Sequence, residues 1–300
     1  MLGAKLTLGV VVVAVALWRA FPSAARRRSY GESFARRNLA FVSPELVPAF
    51  DRAVTRSERF IAVALVLLAA GLLIVEPRGG EDRPIWVFWL LPLAIFLPLW
   101  AGFRLRMVTK ELPVPAGRAV SARARQVTVS DYVPRSALAV TWSSVAIGVT
   151  QAATLGVLAR RGEVATVVAA WAAVGAGVIV WLALVAHVFG HLMCRRPQSS
   201  VDPCHLYLQD AWRAESLLGA HIAVIWSLFL VTMGVAYSPS GPAWLANAMF
   251  PWHGVLFIAV LAWVWSRSRW QFRRRLWPTL RNGQVLLPGE PVPPRHGVSV

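Results

Sequence analysis

Long apolar runs alternate with short polar segments along this chain, and seven of the runs approach or reach the length of a membrane span. A spanning α-helix needs about 20 mainly apolar residues with few or no charges. The pattern therefore predicts an all-α, polytopic helical membrane protein with about seven transmembrane helices, built as an N-terminal span plus three helical hairpins. A single bundle is expected over residues 1–277. The predicted spans cover residues 3–20, 60–76, 84–103, 136–159, 164–188, 216–236 and 244–266.

The first apolar run allows two interpretations. Residues 6–18 form a short run, and Pro22-Ser23-Ala24-Ala25 follows it in the manner of a signal-peptide cleavage site. Six arginines lie within residues 19–37, however, and a cluster of positive charge resists translocation. The charge favours an uncleaved anchor, with cleavage as the alternative.

Two segments outside the spans have patterns of their own. Residues 44–59 place Leu46, Phe50 and Val54 at helical spacing with arginines on the other faces, which predicts an amphipathic helix on the inner leaflet that continues into the second span. Residues 278–300 are rich in proline without apolar periodicity, so they are predicted to be a disordered cytoplasmic tail. Asp202-Pro203 is a helix-start signal, because an N-cap side chain precedes a proline suited to the first helical position.

Composition supports the membrane class and the charges give it an orientation. Hydrophobic residues make up 57% of the chain, charged residues only 15%, and the mean hydropathy is +0.55. Of the 31 Lys and Arg residues, 26 fall in segments 19–59, 103–136, 189–216 and 267–300, which lie on the same side in a seven-span topology. The positive-inside rule then puts the N-terminus outside and the C-terminus in the cytoplasm. All but Lys5 and Lys110 are arginine, a bias that favours a GC-rich bacterium and hence its plasma membrane.

The net charge of +17 bears on the partners. The basic residues lie at the ends of apolar segments, where they can meet the anionic headgroups of membrane lipids on the cytoplasmic side. No basic face with a recognisable nucleic-acid-binding motif is present, so nucleic acid is not an expected partner. A protein partner with an acidic surface is the other candidate, and the pattern leaves the oligomeric state open.

Catalytic motifs are absent from the sequence. It contains no phosphate-binding loop, no G-x-G-x-x-G, no H-E-x-x-H, no G-x-S-x-G and no kinase signature, so we do not expect an enzyme. The predicted spans also lack mid-depth charges, which ion-coupled transport usually needs. Polar residues do occur in span four, where Thr150 and Gln151 either hydrogen bond to other helices or line a path for a small neutral or apolar solute.

One constellation has the chemistry of a metal site. His187, His191 and Cys194 stand at positions i, i+4 and i+7, and Cys204-His205 follow after a short basic segment. Imidazole and thiolate are ligands for zinc, copper or iron, and His221 is a further candidate because it lies near the same end of the next span. The set could hold a transition metal, or a haem between histidines on facing helices. The spacing matches no established zinc signature, so packing at the membrane interface is the simpler interpretation and no cofactor is expected.

Three functions remain open on this reading. The leading one is an interaction scaffold with a basic cytoplasmic face. The alternatives are a permease component for a small neutral or apolar solute, and a metal- or haem-binding membrane protein that uses the His and Cys set.

Overall fold

A computed structural model of the chain describes residues 11, 13–42, 44, 47–74, 87–110, 126–196, 198, 200, 202–236, 252–268, 270–280 and 284–287. The described structure is 84% helical, and it contains no strand within those ranges. The prediction of a helical protein is therefore confirmed. Residues 13–20 are helical, and the elements that follow them, in chain order, are α1 (Ala24–Asn38), α2 (Val47–Ile74), α3 (Val87–Lys110), α4 (Val129–Tyr132), α5 (Arg135–Arg160), α6 (Thr166–Arg195), α7 (Pro203–Ala236), α8 (Trp252–Ser268) and α9 (Gln271–Leu276).

Three of the described helices, α5, α6 and α7, are long and apolar enough to cross a membrane. They correspond to the predicted spans at 136–159, 164–188 and 216–236. For the other four predicted spans, the described residues do not establish a membrane crossing. Helix α8 begins at Trp252, so residues 244–251 of the last predicted span lie outside the described residues, as do residues 3–10 and 12 of the first.

The predicted amphipathic helix and the second predicted span form one continuous helix, α2, as the apolar spacing indicated. It begins at Val47. Phe50 is buried while Arg52, Arg56 and Arg59 are exposed, which is the expected division between its faces.

Helices α5, α6 and α7 pack against one another, and α3 covers α6 and α7. Gly148 of α5 lies so close to α6 that a Cβ added to it would stand 2.8 Å from Cδ1 of Ile179. A small residue at this position lets the two helices approach closely, which is the usual way in which membrane helices gain packing contacts. Helix α7 lies at the centre of this bundle, because α3, α5 and α6 all pack against it.

Helix α7 is much longer than the span predicted inside it. Its 34 residues correspond to about 51 Å at 1.5 Å per residue, against a hydrocarbon core of about 30 Å. The helix begins at Pro203, where the Asp202 side chain accepts a hydrogen bond from the His205 backbone N–H at 2.7 Å, so the predicted helix start is confirmed. The first part of α7 therefore extends beyond the length that a bilayer needs.

The beginning of the predicted disordered tail differs from the structure. Leu280 and Leu286 are buried against the core, and the Arg273 guanidinium donates from Nη2 to the Gln284 carbonyl at 2.5 Å. The pattern concealed this because the two leucines are separated by polar residues and show no helical or strand period. Residues 281–283 and 288–300 lie outside the described residues.

Candidate functional site: the basic end of the bundle

The first third of α7 is buried on every side although it carries several polar residues. Residues 204–214 are all buried, and they include His205, Gln209, Asp210 and Arg213. A buried polar group is costly unless a partner satisfies it. The partners of these side chains come from the segments that are predicted to lie on the cytoplasmic side. We call this part of the molecule the basic end, and within the described ranges it comprises residues 19–59, 126–135, 195–216 and 267–287.

Asp210 is the centre of a hydrogen-bond network that joins four parts of the chain. Its Oδ1 accepts from the Tyr132 hydroxyl at 2.9 Å and from the Gln198 amide at 2.8 Å. Its Oδ2 accepts from the Trp277 indole N–H at 2.8 Å. The three donors lie on α4, in the α6–α7 connection and just after α9. This carboxylate therefore holds these three parts of the chain against α7.

Tyr132 and Arg213 flank that carboxylate. Burial raises the pKa of the Tyr132 hydroxyl well above its usual range, and the nearby Asp210 raises this pKa further, so the hydroxyl keeps its proton and continues to donate. Arg213 is fully buried and donates from Nη2 to the Arg196 carbonyl at 3.1 Å, while its Nε and Nη1 have no hydrogen-bond partner among the described residues. Arg213 acts on the Tyr132 hydroxyl in the opposite direction to Asp210, so its positive charge offsets part of the effect of the buried carboxylate.

A second chain of polar contacts links α1, α7 and α9. The Arg273 guanidinium donates from Nη1 to the Tyr207 hydroxyl at 3.0 Å, and that hydroxyl donates to the Asn38 carbonyl at 2.7 Å. The Asn38 amide in turn donates to Glu215 Oε1 at 2.9 Å. The last turn of α1 and the C-terminal segment are therefore fixed to the same stretch of α7.

Aromatic rings fill the space between α1, α2 and α7. The rings of Phe34, Phe50 and Trp212 lie 5.2–5.4 Å apart from centroid to centroid. The Arg104 guanidinium of α3 lies 4.5 Å from the centroid of the Trp212 ring and 5.2 Å from that of Trp100. Such cation–π contacts let α3 bring a positive charge into the cluster without a carboxylate in direct contact.

The outer surface of the basic end carries positive charge. Most of its described carboxylates are buried or ion-paired: Asp131 and Asp210 are buried, and Asp51, Glu58 and Glu215 lie within 4 Å of arginines, whereas Glu32 is exposed. Arginines, by contrast, remain at the surface in every segment of this end. The exposed ones are Arg28, Arg36, Arg52, Arg56, Arg59, Arg135, Arg195, Arg196, Arg267, Arg274 and Arg275, with Arg106 of α3 beside them.

The structure distributes the predicted metal ligands over three environments. His187 and His191 are both exposed on α6, with ring centroids 4.6 Å apart, as the i, i+4 spacing predicted. Cys194 is buried towards Asp131, Asp210 and Arg213.

The other three candidates lie on α7. The Cys204 thiol donates to the Phe41 carbonyl at 3.8 Å, and His205 Nε2 lies 3.2 Å from the Gln209 amide nitrogen. His221 is buried deeper, with Nδ1 3.2 Å from the Thr141 hydroxyl. Within the described ranges no three His, Cys, Asp or Glu side chains are grouped as a metal site, and no disulfide joins the two cysteines. His187, His191 and Cys194 lie on one continuous helix at the predicted spacing, but other parts of the protein cover Cys194 and leave His187 and His191 exposed.

The two polar residues singled out in span four have different surroundings. Gln151 Oε1 accepts from the Thr232 hydroxyl at 3.1 Å, which links α5 to α7. Thr150 is exposed on the outside of the bundle. One of the two therefore makes the interhelical hydrogen bond that is usual for polar residues in membrane helices.

Sequence reasoning missed the Asp210 network entirely. Its members are single residues separated by up to about 145 positions (132 to 277), and no spacing rule relates them. The available signal was an Asp and an Arg, at positions 210 and 213, three residues apart at the entry to an apolar helix. Charged residues in such a place are rarely buried unless they are paired.

Comparison with known proteins found no matching family model, no matching curated protein and no matching solved structure.

Proposed function

We propose that the protein is a seven-span component of a bacterial plasma membrane, with its N-terminus outside and its C-terminus in the cytoplasm, that works as an interaction scaffold. In this proposal the basic end lies at the inner leaflet. It binds anionic lipid headgroups and offers a positively charged surface to acidic protein partners, and it has no catalytic role.

The observation that carries the proposal is the meeting of separate arginine-rich segments at one end of the bundle. Asn38 contacts Glu215, Tyr132 contacts Asp210, and Gln271 donates to the Ser130 carbonyl at 3.0 Å. These contacts join segments 19–59, 103–136, 189–216 and 267–300, the four that carry most of the basic residues. Grouping on one side is what the positive-inside rule requires of cytoplasmic segments. Their exposed guanidinium groups would face the negative surface potential of the inner leaflet.

The permease alternative has weaker support. Thr150 faces outward, which leaves Gln151 as the one of the two that faces other helices: its Oε1 accepts from Thr232, and its Nε2 is buried without a hydrogen-bond partner among the described residues. The metal alternative rests on the His187 and His191 pair, which supplies two ligands where a bound transition metal commonly has four.

The test is the lipid composition that accompanies the full-length protein through purification. We expect phosphatidylglycerol to be enriched over its share of the source membrane at low ionic strength, and the enrichment to fall as salt is raised, because screening weakens contacts between exposed charges. Co-purified lipids that mirror the bulk membrane at every salt concentration would overturn the proposal.

The orientation is tested separately with two C-terminal fusions. Green fluorescent protein at the C-terminus should be fluorescent and alkaline phosphatase inactive. The opposite pair of results would place the basic end outside the cell and refute this part of the proposal.

A further inference from the structure

A cleft of about 770 Å³ lies where α8 ends and the chain turns into α9. Its polar lining comes from Ser266, Arg267, Arg273 and Arg274, and two indole rings, those of Trp270 and Trp277, form much of the rest. No carboxylate lines it among the described residues. The volume falls within the range of about 300–1,000 Å³ that is usual for small-molecule sites. A cleft with three guanidinium groups and no acid is suited to an anion.

The arginines of the cleft differ in how they are held. Arg273 is only 5% exposed, and its bonds to Tyr207 and Gln284 fix it in the wall. Arg274 donates from Nη2 to the Arg267 carbonyl at 3.1 Å, which keeps its guanidinium beside the last turn of α8. The Arg267 guanidinium makes no hydrogen bond or ion pair within the described ranges. Arg267 and Arg274 are both exposed and have no carboxylate partner there, so they are the groups available to a ligand.

The approach to the cleft is apolar. Leu256, Val260, Trp263 and Arg267 stand at positions i, i+4, i+7 and i+11 of α8, so they form one stripe along the helix. The three apolar members are 62%, 37% and 42% exposed, and they are the part of the wider exposed apolar surface of α8, which also includes Val255 and Ile258, that leads to Arg267. An exposed apolar stripe that ends in an arginine matches a molecule with an acyl chain joined to an anionic group better than it matches a free soluble anion.

We infer that this cleft is a discrete binding site for an anionic phospholipid, whose phosphate contacts Arg267 and Arg274 and whose acyl chain lies along the stripe of α8. The inference rests on the proposed function, since it locates one site for the lipid that the basic end is proposed to bind. Trp270 and Trp277 lie at the level of the headgroup, where indole rings are favoured.

The experiment is a titration of the full-length protein in detergent with phosphatidylglycerol, followed by native mass spectrometry. The double variant Arg267→Gln and Arg274→Gln should bind the first lipid about 30-fold more weakly, because each arginine near the headgroup contributes about fivefold. The matched control carries Arg28→Gln and Arg36→Gln, which removes the same charge from exposed positions of α1 in the basic end. It should change the lipid affinity less than threefold, because only the general electrostatic attraction is reduced.

Two further arms separate the ligand from its alternatives. Arg267→Lys with Arg274→Lys should retain most of the binding, which shows that the loss in the Gln variant comes from charge rather than misfolding. Inorganic phosphate should not displace the lipid at millimolar concentration, and Val260→Asn should weaken lipid binding by severalfold because it makes the stripe polar. Displacement by phosphate together with no effect at Val260 would assign the cleft to a soluble anion and overturn the inference.

Failure of the inference and failure of the proposed function give different results. Equal weakening in the cleft variant and the α1 control would overturn the discrete site while leaving the basic end as a lipid-binding surface. No preference of the wild-type protein for phosphatidylglycerol over phosphatidylcholine would overturn both.

Discussion

Two groups of polar side chains lie where α6 gives way to α7, and they differ in what surrounds them. The His and Cys set follows a regular spacing, yet His187 and His191 are exposed while Cys194, one turn further along α6, is buried. The Asp210 network has no regular spacing, yet its members converge at 2.8–2.9 Å. Spacing within a helix predicts which residues share a face, whereas a buried site needs contributions from several helices.

The largest effect is expected from Asp210→Ala. The change leaves the Tyr132 hydroxyl, the Gln198 amide and the Trp277 indole N–H without this acceptor, and it removes one negative charge from the surroundings of the buried Arg213. We expect the free energy of unfolding to fall by about 3–5 kcal/mol. Chemical unfolding in detergent micelles measures it. Asp210→Asn, which keeps one acceptor oxygen, should lose less, and a loss below about 1 kcal/mol for the Ala variant would show that the network is dispensable.

A smaller effect is expected from Arg273→Ala, which tests how the C-terminal segment is held. The variant loses the donors to the Tyr207 hydroxyl and the Gln284 carbonyl, so the free energy of unfolding should fall by about 2–3 kcal/mol. Hydrogen exchange at residues 284–287 should become faster. Arg275→Ala is the matched control because Arg275 is exposed, and equal exchange in both variants would contradict the role given to Arg273.

Thr232→Val should have a modest effect, because an interhelical hydrogen bond between membrane helices contributes about 0.6 kcal/mol on average. The variant removes the donor to Gln151 Oε1. Thr150→Val, one position from Gln151 and exposed, should leave the stability unchanged. If Thr150→Val proved the more damaging of the two, the outward placement of Thr150 would be wrong.

The smallest effect is expected from the double variant His187→Ala and His191→Ala. Both side chains are exposed, so the free energy of unfolding should change by no more than about 0.5 kcal/mol. The metal content and the visible absorption spectrum of the purified protein should match those of the wild type. A stoichiometric metal or a haem band that disappears in the variant would restore the cofactor hypothesis. The His and Cys set, rather than the Asp210 network, would then be the functional group of polar side chains.

Sequence reasoning reached those parts of the fold that depend on local pattern. The helices around residues 136–159 and 164–188 begin within two residues of their predicted starts, because charged residues flank an apolar run on both sides. Asp202 caps α7 as expected, because an N-cap and a following proline act within one turn.

The remainder depends on contacts between distant residues. The sequence predicts a helix that starts at Pro203, but it does not reveal that residues 204–214 are buried, because Asp210 and Arg213 argue against a buried helix. The donors at positions 132, 198 and 277 compensate for the burial of Asp210. The burial of Leu286 is hidden for a related reason: Val285, Leu286 and Leu287 form an apolar run too short to show a helical or strand period, and Pro288 follows it.

Because α7 runs without interruption from the apolar part of the bundle into the basic end, its two parts cannot tilt independently. A helix longer than the local bilayer accommodates a change in thickness by changing its tilt. For α7, such a tilt would also move its first part, residues 203–215. The α6–α7 connection, α4 and the C-terminal segment would move with it, because Asp210 joins them to α7. In the proposed orientation, a change in membrane thickness would in this way change the position of the arginines of the basic end.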